Sequence, residues 1–93
     1  SSFELAMERL RAADREAGVE ETPLTESQKA AIAEARAVAS SRLAEREILF
    51  RDAVRKVWDP TEREKAEEEY RVDRARIEAD RDRAVERIRR GER

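Results

Sequence analysis

Cysteine and histidine are both absent from the 93 residues. The missing thiols exclude disulfides, thiolate metal sites and cysteine nucleophiles, and the missing imidazoles remove the commonest general base and the commonest neutral metal ligand. Glycine and proline occur only twice each, so a Gly-rich phosphate loop has no material and the chain has few places to break. Aromatic residues make up 4% of the chain, too few for a wide globular core in a domain this small. Hydrophobic runs are short, and none approaches the roughly 18 residues of a transmembrane helix. A strong excess of one charge is missing too. With 21 basic and 23 acidic residues the formal net charge is −2, which gives no electrostatic case for nucleic acid.

What is present is charge of both signs, 47% of all residues, together with alanine, leucine, glutamate and arginine. High charge with few aromatics is the composition of disordered chains. Here the charges alternate in sign along stretches of strong helix formers, and long helices are the expected outcome. The reading is a single all-α domain over residues 1–93, with two breaks between three helices.

The first helix is expected from about Phe3 to Ala17, with Ser2 as N-cap and Gly18 as the stop. Val19 to Leu24, including Thr22-Pro23, reads as a linker. A second helix is expected over about 25–58, where Thr25 and Gln28 have the spacing of a capping box. At Asp59-Pro60 the proline disfavours helical backbone at Asp59, which can cap a third helix over about 60–90 with Pro60 at its first position and Glu62 completing a second box. Gly91 ends it. So short a connection favours an antiparallel hairpin over a kinked rod.

At 100° per residue Ile32, Ala35, Ala39, Leu43, Phe50, Val54 and Val57 share one face of the second helix, and Ala66, Tyr70, Ile77, Ala84 and Ile88 share one face of the third. The first helix offers Phe3, Ala6, Met7, Leu10 and Ala17, enough to lie along part of the hairpin. Polar residues interrupt both seams at Arg46, Asp73 and Arg81. In a reversal near Asp59, residues equidistant from the turn face each other, which pairs Arg46 with Asp73. That ion pair has two readings, a device that fixes register or part of a binding groove.

Ile48 points away from the seam, with Val38 and Leu49 to the side, and these residues form a possible second contact surface. Trp58 at the tip is either a local cap or an exposed anchor. The third helix begins acidic (Glu62, Glu64, Glu67, Glu68, Glu69) and ends basic (Arg87, Arg89, Arg90, Arg93), which suits the helix dipole. Glu67–Arg71 and Glu86–Arg90 are expected ion pairs. A second reading makes Arg89 and Arg90 an anionic contact site. Glu67, Glu68, Glu69 and Asp73 have the chemistry to hold a hard cation, but no dedicated loop accompanies them. Ser40 and Ser41 lie within a helix with no base in sight. No catalytic site, cofactor or metal is expected, and no membrane insertion. The expected partner is protein, with a homodimer completing the thin, alanine-rich seams.

Leu24-Thr25-Glu26-Ser27-Gln28 resembles the LTxxQ motif of small periplasmic stress proteins, a family of helical-hairpin chaperones and metal-responsive sensors. The arrangement is similar as well: a short first helix, the motif opening a long helix, a reversal, and a second long charged helix. The resemblance implies a periplasmic dimer whose concave helical face holds client proteins. Metal-sensing members use histidines, so it implies a chaperone over a sensor. This chain lacks the second LTxxQ common in the family. Trp58-Asp59-Pro60 is similar to the turn of WXG-type secreted hairpins, without their glycine. Outside the periplasmic resemblance, the alternative is a small acidic cytoplasmic regulator or inhibitor that binds and blocks a protein partner.

Overall fold

A computed structural model describes residues 1–16 and 23–92, and all the regular structure among them is helical. The helices are α1 (Ser2–Glu16), α2 (Glu26–Arg55) and α3 (Pro60–Arg89). The expected stop at Gly18 and most of the linker, Val19 to Thr22, lie outside the described residues, as does Arg93.

Local chemistry explains most of the boundaries. Ser1, not Ser2, caps α1: its hydroxyl accepts from the Glu4 N–H at 3.3 Å and its carbonyl from the Leu5 N–H at 3.1 Å. At Thr25 the capping box is complete. The Gln28 N–H donates to Thr25 Oγ1 at 3.0 Å, and the Thr25 N–H donates to Gln28 Oε1 at 2.8 Å. α2 stops at Arg55, three residues short of the expected Trp58. Pro60 holds Asp59 extended, so the reversal must be made before it. The chain makes it by tightening its last turn, with i to i−3 bonds from Lys56 N–H to the Ala53 carbonyl and from Val57 N–H to the Val54 carbonyl.

Asp59 caps α3 with Pro60 at the first position, as expected. Its carboxylate accepts from the Thr61 N–H at 3.2 Å, so the box with Glu62 does not form. At the far end Gly91 has φ +81°, its N–H bonds the Ile88 carbonyl, and the Glu92 N–H bonds the Arg87 carbonyl. This is a Schellman cap, and its left-handed residue is glycine because a Cβ is disfavoured there.

α2 and α3 pack antiparallel as a hairpin. Three contacts along its length fix the register: Gln28 to Ile88 at the open end, Arg46 to Asp73 in the middle, and Phe50 to Tyr70 toward the tip. Each joins residues nearly equidistant from the turn. Among the described residues only Ile32 and Ala39, at 6% and 4% exposure, are buried.

The expectation that α1 lies along the hairpin is corrected. Among the described residues α1 has no packing contact with α2 or α3, and Phe3 and Leu10 are exposed. The cause is visible in the hairpin: its one continuous apolar stripe is already used between its own two helices, and its outer faces are heavily charged.

Candidate interaction surface

The seam changes character from the open end to the tip. At the open end Gln28 has two roles. Its carbonyl oxygen completes the cap of α2, and its Nε2 donates to the Ile88 carbonyl at 3.0 Å. One side chain therefore ties the first turn of α2 to the last turn of α3. Next come the small and aliphatic contacts around Ile32, Ala39, Ile77 and Ala84.

Midway, Arg46 Nε donates to Asp73 Oδ2 at 2.8 Å, with side chains 23% and 39% exposed. Asp73 also has Arg76 at 3.9 Å. Tyr70 stacks on Phe50 with centroids 4.2 Å apart and planes 6° from parallel. The guanidiniums of Arg46 and Arg74 stand 5.5 and 5.7 Å from the Tyr70 centroid, within cation–π range. The ion pair thus joins a polar-aromatic cluster that fills the seam where the alanines run out. The expected Arg46–Asp73 contact is formed across the hairpin. Two clefts open on the hairpin surface away from this pair, and neither Arg46 nor Asp73 lines them.

One of those clefts, about 590 Å³ and open to solvent, is lined by Arg36, Ser40 and Leu43 of α2 and by Arg81, Asp82, Val85 and Glu86 of α3. Ser40 there has no hydrogen bond to a base among the described residues. Arg81, placed on the α3 stripe by its spacing, is half-buried and donates to neighbouring Asp82 at 3.0 Å. The other cleft, about 170 Å³, has walls of Ala35, Val38, Ala39, Ile77 and Ala84, with Arg42, Asp80 and Arg81 also lining it.

Two carboxylates of the acidic start of α3, Glu67 and Glu68, and Asp73 beyond it are engaged by arginines. Glu67 pairs with Arg63 at 3.5 Å, Glu68 with Arg71, and Asp73 with Arg46. No group of three or more acidic side chains among the described residues is placed to hold a metal ion. The expected Glu67–Arg71 and Glu86–Arg90 pairs are replaced by Arg63–Glu67, Glu68–Arg71 and Arg90–Glu92, the last at 3.2 Å. The i,i+3 and i,i+4 partners of a helical arginine lie at similar distances, so spacing alone does not choose between them. At the basic end Arg89 and Arg90 are both exposed, Arg90 neutralised in part by Glu92.

Ile48 and Leu49 are 68% and 59% exposed, and Trp58 at the tip is 94% exposed. Trp58 therefore does not cap the hairpin. The sequence reading omitted Val72, exposed on the outer side of α3, because a lone valine on a charged helix carries no periodic signal. On α2 the Lys56 ammonium bonds Asp52 at 2.9 Å, and that hydrogen bond and charge hold the Asp52 carboxyl below its ordinary value. No helix among the described residues is long and apolar enough to cross a membrane. In comparisons with known proteins, no family model, curated protein or solved structure matches the chain.

Proposed function

We propose that the chain is a non-enzymatic helical interaction module that holds protein partners against the outside of the α2–α3 hairpin. The observation that carries this reading is the imbalance between seam and surface. The seam buries two residues, while Ile48, Leu49 and Trp58 stand in solvent. The accessible surface is 7825 Å², whereas a compact monomer of this mass, 10.8 kDa, would expose about 5,500 Å².

The most concrete version is a chaperone of the LTxxQ kind, working as a homodimer in the periplasm. It is supported by the Leu24–Gln28 motif opening α2, by the order of helices, and by a rigid hairpin with apolar residues on its outside. The test is suppression of aggregation of a thermally unfolded model client by the full chain. Suppression that falls in Ile48→Ser/Trp58→Ser, with helicity retained by circular dichroism, supports the reading. No suppression at any molar ratio removes the chaperone version.

A second reading rests on Trp58 alone. A tryptophan 94% exposed at the tip of the hairpin, two residues before Pro60, has the form of an anchor for a partner's pocket. This favours the regulator or inhibitor alternative. A single partner bound one-to-one, with affinity lost in Trp58→Ala, would distinguish it from a client-holding chaperone.

A further inference from the structure

α2 carries a short self-complementary stretch on a flank that turns away from the seam. Val38, Arg42, Glu45 and Leu49 follow one another at spacings of four, three and four, which places them within about 60° of one another around the helix. All four are exposed. Arg42 and Glu45 have no hydrogen bond or ion pair among the described residues. Their neighbours Arg46, Glu47, Arg51 and Asp52 are all engaged. Two unpaired opposite charges thus lie between two exposed aliphatic side chains.

A second α2 laid antiparallel across this flank meets the same order reversed. Val38 then faces Leu49 of the second copy, and Arg42 faces its Glu45. Two-fold symmetry makes each contact twice. The 170 Å³ cleft adjoins Val38 and Arg42, and its other walls are the aliphatic Ala35, Ala39, Ile77 and Ala84 with the charged Asp80 and Arg81; its Val38 edge lies where Leu49 of the second copy arrives. A helix from an unrelated protein would need apolar, acidic, basic and apolar residues in that reversed spacing, which this chain itself supplies. The charge of −2 per chain adds little repulsion between copies.

We infer that this flank of α2 is a homodimer interface, with the two-fold axis passing between the levels of Leu43 and Ala44. The inference rests on the interaction-module reading and specifies one partner of that module, a second copy of the chain. The Arg42–Glu45 contacts set the register and the Val38–Leu49 contacts supply apolar burial. Ile48 and Trp58, the residues altered in the aggregation assay, lie outside the interface, so the two claims fail separately.

The test is the solution mass of the full chain by light scattering with size-exclusion chromatography, over a concentration series. The expected result is a reversible dimer that weakens with salt. Arg42→Glu and Glu45→Arg, each creating two like-charge contacts, should each raise the dissociation constant at least about tenfold, and the double reversal Arg42→Glu/Glu45→Arg should recover most of it. Circular dichroism controls for folding, because all four side chains are exposed in the single chain. A wild-type monomer at every concentration overturns the inference. A dimer indifferent to the single reversals, or one the double reversal does not rescue, also overturns it and places self-association on another face.

Discussion

Breaking the Arg46–Asp73 pair measures how much of the hairpin depends on one polar contact. The pair is 2.8 Å long, with side chains 23% and 39% exposed, between the surface and buried regimes. Exposed pairs contribute about 0.2–1 kcal/mol. Removing one partner of a buried pair costs about 3–5 kcal/mol. Asp73→Ala is expected to cost about 1.5 kcal/mol, because Arg46 keeps some water and its place over Tyr70. Arg46→Ala should cost about 2 kcal/mol, because it also loses a cation–π contact of about 0.5–1 kcal/mol and its packed stem. In Arg46→Ala/Asp73→Ala the costs should add to less than their sum, leaving a coupling of about 1 kcal/mol. At about 4–8 °C per kcal/mol for a domain of this size, each single variant should melt roughly 6–16 °C below wild type. The assay is urea and thermal unfolding followed by circular dichroism at one fixed protein concentration, since self-association would shift the midpoint. A coupling below about 0.3 kcal/mol, the size expected of independent sites, would refute the claim that the pair acts as a unit.

Gln28→Ala should cost about 1–2 kcal/mol, since it removes half of the capping box and the bond to the Ile88 carbonyl. Its signature is faster amide exchange at the start of α2 and the end of α3 together; faster exchange in α2 alone would mean the cross-helix bond contributes nothing. Gly91→Ala should cost about 1 kcal/mol, seen as fraying of the last turn of α3 in amide exchange, because φ is +81° there although a Cβ would meet nothing within 4 Å. Trp58→Ala should change stability by less than about 0.5 kcal/mol, and wild-type tryptophan fluorescence should be quenched as freely as a peptide's. The carboxyl of Asp52 titrates lower in the folded chain than in the unfolded one, so its contribution is present above the unfolded pKa and is lost as pH falls through the folded one. Asp52→Asn should therefore flatten the stability curve below about pH 4, and an unchanged acid limb would show that the Lys56 contact carries no linkage.

The parts of the fold legible in the sequence are those governed by local chemistry and a single period. Thr25 with Gln28, Asp59 with Pro60, and Gly91 each satisfy or block particular backbone groups, so they mark ends without reference to the rest of the chain. The apolar period of α2 and α3 identified the seam. Once the reversal was placed at Asp59, symmetry about it put Arg46 opposite Asp73. The errors fall where two local solutions compete or where distant packing decides. Ser1 and Ser2 are equally good caps by type. Arg71 has a carboxylate at both i−3 and i−4. The second role of Gln28 depends on Ile88, sixty residues away, and no local pattern shows it. The packing of α1 is not legible in its stripe, because an amphipathic stripe reports that a helix has a face to bury and does not report what lies opposite.

The polar interruptions of the seam and the apolar residues outside it belong to one physical problem. A hairpin of two long helices is a ribbon, and each helix can turn only one stripe toward the other. With Ala35 and Ala39 on α2's stripe, Ala66 and Ala84 on α3's, and just two residues of the seam buried, the pair gains little apolar burial, so contacts with fixed geometry, such as the Arg46–Asp73 bond, the Phe50–Tyr70 stack and the Gln28 tie, are left to set the register. Strong apolar side chains at Ile48 and Leu49 point elsewhere, where they cannot help the ribbon fold alone. Under the dimer inference that division is consistent: the intrachain seam sets register through polar geometry, and association through Val38 and Leu49 adds apolar burial. Stability should then rise with protein concentration, and Arg42→Glu should move that rise to concentrations at least about tenfold higher while leaving the dilute-limit unfolding midpoint unchanged.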